Sequence, residues 1–333
     1  MQQLKLLKNS SGLGLIELMV SMTIGLLILA GVIQVYLSAS QNSRTVIGAS
    51  AIQEHARLLF SRVENDVSRA GYAGCMNFNV EPRRAINIVN QQTNPAFNPD
   101  KFVDGKDDVQ QNGKAFDEFT VSYAGNAGRL KVKEVSDTSF SINGDQSSTF
   151  NQGDLLVVGD CSSFGIFRVS NSPEDSGEIE FATGVYNTGP FSVRFLGENS
   201  PSPVVTYIYS GTGAFRYFVG TSAAGINAAA SCSAATPEFC ALFRKSSTSD
   251  TPDELFEGIA SFEVEYGWRD SDTGNLFFAN AANVPSANWS IIDRINISAT
   301  LRSPEKMQTN EGSDYIERQY TRQFFLFNQS PEA

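Results

Sequence analysis

Glu17 is the residue of this 333-residue chain whose placement most demands a chemical explanation, because it is a lone carboxylate inside an apolar run. The N-terminus reads Lys5-Leu-Leu-Lys8-Asn-Ser-Ser-Gly12, then Leu13-Gly-Leu-Ile-Glu17-Leu-Met-Val, and stays apolar to Leu37. Across residues 13–37 only Glu17 and Gln34 are charged or strongly polar, so about 25 residues are available to cross a bilayer core as a helix. A carboxylate placed in lipid costs a few kcal/mol. Glu17 therefore requires a partner, and a cationic amine is the partner that suits it.

The remaining residues capable of chemistry are few. Four cysteines, Cys75, Cys161, Cys232 and Cys240, predict two disulfides in an oxidising compartment, with three possible connectivities. Cys232 and Cys240 are close enough to staple a local loop, which leaves Cys75 and Cys161 to close a long one. The absence of a Cys-x-x-Cys spacing and the presence of a single histidine, His55, argue against a metal or redox centre. Asp270-Ser-Asp-Thr-Gly-Asn275 resembles the opening of an oxygen-rich calcium loop but lacks the bidentate Glu at the required spacing. It reads better as a polar hairpin turn joining Tyr266 to Phe277, and Asp104-Gly-Lys-Asp-Asp108 as a solvated loop. Gly-x-Ser-x-Gly, P-loop and His-Glu-x-x-His patterns are missing. No catalytic residue, cofactor, metal or small-molecule substrate is expected.

Charge and composition set the compartment. Lys5 and Lys8, with no acid among the first twelve residues, place the N-terminus in the cytoplasm and the remainder on the exported side. The formal charge of −11 repels nucleic acid, and none is expected as a partner. At 41% hydrophobic and 18% charged, the exported part has the balance of a folded head: one large domain with room for a subdomain.

The elements that position these residues are a long rod and a sheet. No proline occurs before Pro82, and Ile52, Ala56, Leu59, Val63 and Ala70 recur at helical spacing, with Glu54, Arg57, Arg62 and Asp66 among them. A helix from residue 13 to about 69 follows, its outer half packing an apolar stripe on a sheet, with His55 a solvated helix residue. Beyond Gly71 short strand-like runs are expected at 116–123, 129–135, 154–158, 164–169, 179–181, 191–195, 204–210, 214–219, 241–244, 259–268, 291–301 and 319–327. Segments 87–113 and 222–233 read as loops. The expected division is a leader at 1–12, a membrane helix at 13–37, its amphipathic continuation at 38–70 and a β-rich head at 71–333.

The leader resembles the type IV pilin class: a basic peptide ending in Gly12, a hydrophobic Leu13, and Glu17 at the fifth position after the junction. The resemblance implies that a prepilin peptidase cleaves between Gly12 and Leu13 and methylates the Leu13 amine. That amine would lie one helical turn from Glu17, about 6 Å of rise. It partly neutralises Glu17 in a lone subunit, and a neighbour's amine does so in a filament, setting axial register. A secretory signal peptide competes with this reading: Ala30 and Ser38-Ala39-Ser40 imitate its cleavage site, but its apolar region is shorter.

Later phrases resemble the PilW-type minor pilins: Arg69-Ala-Gly-Tyr-Ala-Gly-Cys75, Gly-Asp-Cys161-Ser-Ser, Phe215-Arg-Tyr-Phe-Val with Ala241-Leu-Phe-Arg244, and Gly258-Ile-Ala-Ser-Phe-Glu-Val-Glu-Tyr-Gly267. Two departures stand out. Gln34 occupies the position where major pilins kink at proline, and Gly14 replaces a threonine-like residue. Both fit a rare subunit better than a bulk one. The resemblance implies an α+β pilin-like fold, with the long helix packed on the β-rich head, in a non-enzymatic minor pilin. Such a subunit waits in the inner membrane and then joins the pilus near its tip. Its partners would be other minor pilins, the major pilin and a tip adhesin, with roles in pilus assembly, adhesion and twitching motility. A type II secretion pseudopilin, or an anchored exported adhesin or enzyme, are the alternative readings.

Overall fold

In a computed structural model of the chain, the described residues are 14–72, 85–90, 101–125, 129–142, 149–160, 163–173, 176–192, 195–198, 206–209, 213–247, 249–270, 272–303, 305–309 and 312–327. A single 53-residue helix, α1 (Leu15–Val67), forms a rod of about 80 Å. Every residue from 15 to 39 is exposed, whereas Ile52, Ala56, Leu59, Phe60, Val63, Val67 and Ala70 are buried in the head. One helix thus serves two environments. Gly71, at φ 75°, turns the chain off the rod, and its N–H donates to the Ser122 carbonyl at 3.0 Å. This contact hands the rod directly to the sheet.

Two antiparallel sheets receive the stripe. The first has the order Asp253–Glu257, Cys240–Ser246, Gly213–Thr221, Lys114–Tyr123, Val103–Gln111. The second has the order Leu276–Asn280, Ile259–Arg269, Ile292–Arg302, Glu317–Phe325. Val219, Leu242, Phe119, Phe262, Val264, Ile295 and Ile297 join the helix stripe in one core. Each fully buried large side chain contributes about 1.5–3 kcal/mol of transfer free energy.

A second lobe has its own core. Its five-stranded sheet runs Ala85–Asn87, Phe164–Arg168, Leu155–Gly159, Tyr207–Tyr209, Arg129–Lys131, with only the first pair parallel. A smaller sheet of Glu134–Val135, Ser139–Ser141 and Glu178–Glu180 covers it. Phe140, Phe167, Phe181, Phe191 and Phe195 interlock there with ring centroids 4.7–6.1 Å apart. Phe102, Ala124, Phe164, Ile166 and Tyr209 form a third cluster between this lobe and the stem-bearing one.

Four expectations are corrected. Within the segment read as a loop, Val103–Gln111 is an edge strand; its alternating exposure lets Asp, Lys and Gln face solvent without breaking the pairing. The described residues at 191–195 are irregular rather than a strand, because Phe191 and Phe195 both turn into the aromatic core. His55 is half-buried rather than solvated, stacked on Phe256 with ring centroids 5.3 Å apart. Segment 222–233 holds a short helix, Ala223–Asn227, capped where the Gly225 N–H donates to Ser222 Oγ at 2.9 Å.

Candidate functional site

The helix half that the head leaves uncovered carries the first candidate site. Glu17 lies in the first turn of α1, with its N–H donating to the Gly14 carbonyl at 2.9 Å. Among the described residues, its carboxylate has no ion-pair or hydrogen-bond partner. The hydroxyls nearby are satisfied within the helix: Ser21 Oγ donates to the Glu17 carbonyl at 2.7 Å and Thr23 Oγ1 to the Val20 carbonyl at 2.8 Å. Such internal bonding is what an apolar environment requires. Leu15, Ile16, Met22, Leu27 and Val35 are at least two-thirds exposed. The result is an apolar cylinder interrupted by one acid. Gly12 and Leu13 lie outside the described residues.

The other half of the helix is fixed by a buried polar staple centred on Asp66. Asp66 falls in phase with Leu59 and Val63, and it is buried on the stripe. Its carboxylate accepts from Tyr123 Oη at 2.9 Å, Tyr217 Oη at 2.7 Å, Arg244 Nε at 2.6 Å and Arg244 Nη2 at 3.2 Å. The guanidinium also lies over the Phe215 ring, 4.0 Å from its centroid. Tyr123, Tyr217 and Arg244 come from three adjacent strands, so one carboxylate pins the rod across the middle of the sheet. Burial foremost, and then the charge and hydrogen bond of Asp66, hold both phenols well above their ordinary value. The signal available in the sequence was the phase of Asp66 on the stripe.

Of the cysteines, Cys232 and Cys240 form a disulfide. It closes the segment between Thr221 and Cys240, residues paired across the end of the hairpin. The Cys232 N–H donates to Thr221 Oγ1 at 3.0 Å, and Asn112 Nδ2 donates to the Cys232 carbonyl at 3.2 Å. Cys75 and Cys161 lie outside the described residues. Asp270 sits in a turn between Arg269 and Leu276, as its sequence suggests, with Oδ1 accepting from Thr273 N–H at 2.9 Å and Thr273 Oγ1 at 2.8 Å.

A long exposed apolar helix joined to a sheet-rich head defines a pilin-like α+β protein. Consistent with that class, residues 7–33 match the model of the prokaryotic N-terminal methylation motif. The head carries the narrower likeness, with residues 216–323 matching the model of type IV pilus-assembly protein W. Together the two matches support a PilW-like minor pilin of a type IV pilus, a structural class not typically enzymatic. The second match spans Arg244, the Cys232–Cys240 disulfide and most of the second sheet. No curated protein and no solved structure matches the chain.

Proposed function

We propose that the protein is a minor pilin that helps initiate type IV pilus assembly and stays at or near the tip, contributing to adhesion and twitching motility. The observation carrying this reading is the division of α1: residues 15–39 are all exposed and, Glu17 and Gln34 apart, largely apolar, while the stripe that begins at Ile52 is buried in the head. A helix exposed in this way is stable only in lipid or among other helices. The inner membrane supplies the first environment and the filament core the second.

In this reading a prepilin peptidase cuts between Gly12 and Leu13 and methylates the Leu13 amine. A neighbouring subunit's amine then pairs with Glu17, because a carboxylate left uncompensated in an apolar core costs several kcal/mol. The α1 register of the new subunit is thereby fixed to that of its neighbour. The head, periplasmic before assembly, offers its surface to other minor pilins, the major pilin and a tip adhesin. A second disulfide, Cys75 to Cys161, would hold the helix exit to the second lobe. The match at residues 216–323 favours the pilus over a type II secretion pseudopilin.

The test is Glu17→Leu in cells. The variant is expected in the inner membrane at wild-type abundance but reduced at least tenfold in sheared filaments. Equal incorporation would remove the register role of Glu17.

A further inference from the structure

One edge of the second sheet lacks the features that keep an edge strand to itself. Leu276–Asn280 is the outer strand of that sheet, paired among the described residues to Ile259–Arg269 alone. Its sequence, Leu-Phe-Phe-Ala-Asn, holds no charge and no proline, and its pairing has no bulge. The other edges of the two stem-bearing sheets, Val103–Gln111, Asp253–Glu257 and Glu317–Phe325, all carry charged side chains, and the first is also bulged. Charges and bulges of this kind prevent stray strand pairing. Leu276, Phe277 and Phe278 are instead 39%, 46% and 38% exposed, three consecutive large apolar side chains in water.

The backbone of this strand is open as well. At the turn before it, the Asp270 N–H donates to the Asn275 carbonyl at 2.9 Å. The alternation of an antiparallel ladder from that pair turns the N–H and C=O groups of Leu276, Phe278 and Asn280 away from Ile259–Arg269. No backbone group among the described residues meets them. On one face Phe278 lies over Gly267, where a Cβ would collide with its ring and with the Arg294 side chain. On the other, Phe277 stacks on Trp268 with ring centroids 6.1 Å apart. A strand laid along this edge gains backbone hydrogen bonds and apolar contacts on both faces.

Charge decides what kind of strand fits. Asp270 and Asp272 occupy the turn at one end of Leu276–Asn280. At the other end Asn280 Nδ2 donates to Asp107 at 2.6 Å, and Asp108 is exposed next to it. The cations nearby are engaged: Arg269 and Arg294 share Asp293, Lys101 is paired with Asp104, and Lys106 stands opposite Glu118. The apolar strand is thus bracketed by acids. A second copy of the chain, paired antiparallel about Phe278, would set the turn acids of each copy against Asp107 and Asp108 of the other, in a protein of net charge −11. The partner that fits is basic where this edge is acidic.

We propose that Leu276–Asn280 accepts, by strand addition, an extended segment of another exported protein that is apolar at alternate positions and carries lysine or arginine at both ends. Backbone pairing supplies the affinity, Phe277 and Phe278 receive the apolar side chains, and the acids at the two ends set the register. The inference gives the head a kind of partner, and it rests on the assembly reading only for where that partner is met.

The probe is a fluorescein-labelled peptide of alternating valine and threonine with lysines at both ends, titrated into the full-length protein in detergent and read by anisotropy. Saturable binding is expected, about tenfold weaker when the end lysines are replaced by glutamates and lost when every valine and threonine nitrogen is methylated. Leu276→Pro, which removes an outward N–H but no bond to the neighbouring strand, and Phe277→Lys should each weaken binding about tenfold with little change in the urea midpoint. Leu58→Lys, at an exposed apolar position of α1, should match wild type. The proposal is overturned if the lysine-ended peptide does not bind, if the methylated or glutamate-ended peptide binds equally well, or if folded Leu276→Pro and Phe277→Lys bind as wild type does. Concentration-dependent dimers that disappear in Phe277→Lys would give the edge to a second copy and overturn the choice of partner. The measurement needs no filament, so failure here leaves the assembly reading standing, and failure of that reading leaves this binding intact.

Discussion

Asp66→Asn is the perturbation that most cleanly tests how the rod is held to the head. The carboxylate accepts four hydrogen bonds, two of them from Arg244. An amide keeps one accepting oxygen and removes the charge, so about two of the four bonds are lost and the guanidinium is left buried without its counter-ion. A hydrogen bond to a charged group contributes about 1.5–3 kcal/mol, and removing one member of a buried pair costs about 3–5 kcal/mol. The expected loss is therefore about 3 kcal/mol, a large fraction of the usual 5–15 kcal/mol. Urea unfolding of the full-length protein in detergent, followed by tryptophan fluorescence, measures it. A cycle is closed by Asp66→Leu, Arg244→Met and Asp66→Leu/Arg244→Met. Because apolar replacement of a whole buried pair is often neutral, the double variant should be more stable than Asp66→Asn, with a coupling energy above about 2 kcal/mol. A loss below about 1 kcal/mol for Asp66→Asn, or simple additivity, refutes the staple.

The disulfide and the buried side chains give further tests. Cys232→Ser/Cys240→Ser should cost about 2.5 kcal/mol on the chain-entropy model for so short a loop, read from the shift in urea midpoint. The raised Tyr123 and Tyr217 phenols favour the protonated, folded form. Their contribution is complete below pH 10, the ordinary tyrosine value, and is lost as pH rises beyond it; Tyr123→Phe should flatten the decline of stability between about pH 10 and 12. His55 has the opposite sense: burial lowers its pKa, so its contribution is present above pH 6.5 and falls away as pH drops further. His55→Gln should make stability less sensitive to pH between 5 and 6.5, as read by thermal unfolding.

The rod was the most legible part of the sequence, because an uninterrupted apolar run followed by a stripe at helical spacing leaves few alternatives. Ile52, Ala56, Leu59, Val63 and Ala70 are all buried, as the spacing demands. The Cys232–Cys240 bridge was legible for a different reason, since short separation favours local pairing. Asp66 was not, because residue type assigns an acid to solvent, and only the positions of Tyr123, Tyr217 and Arg244 on distant strands make its burial favourable. Val103–Gln111 was hidden because an edge strand needs backbone pairing and little apolar content. Phe191 and Phe195 misled in the opposite way: their alternating apolar pattern suits a strand, but the tertiary demand of the aromatic core decides their conformation.

The central claim is that α1 is an assembly element whose working N-terminus is made by processing. Mass spectrometry of the N-terminal peptide from chains recovered in sheared filaments tests it most directly. The account predicts a peptide beginning at N-methylated Leu13. Filament-borne chains that retain residues 1–12 would contradict it, as would exclusion of the protein from filaments that are otherwise complete.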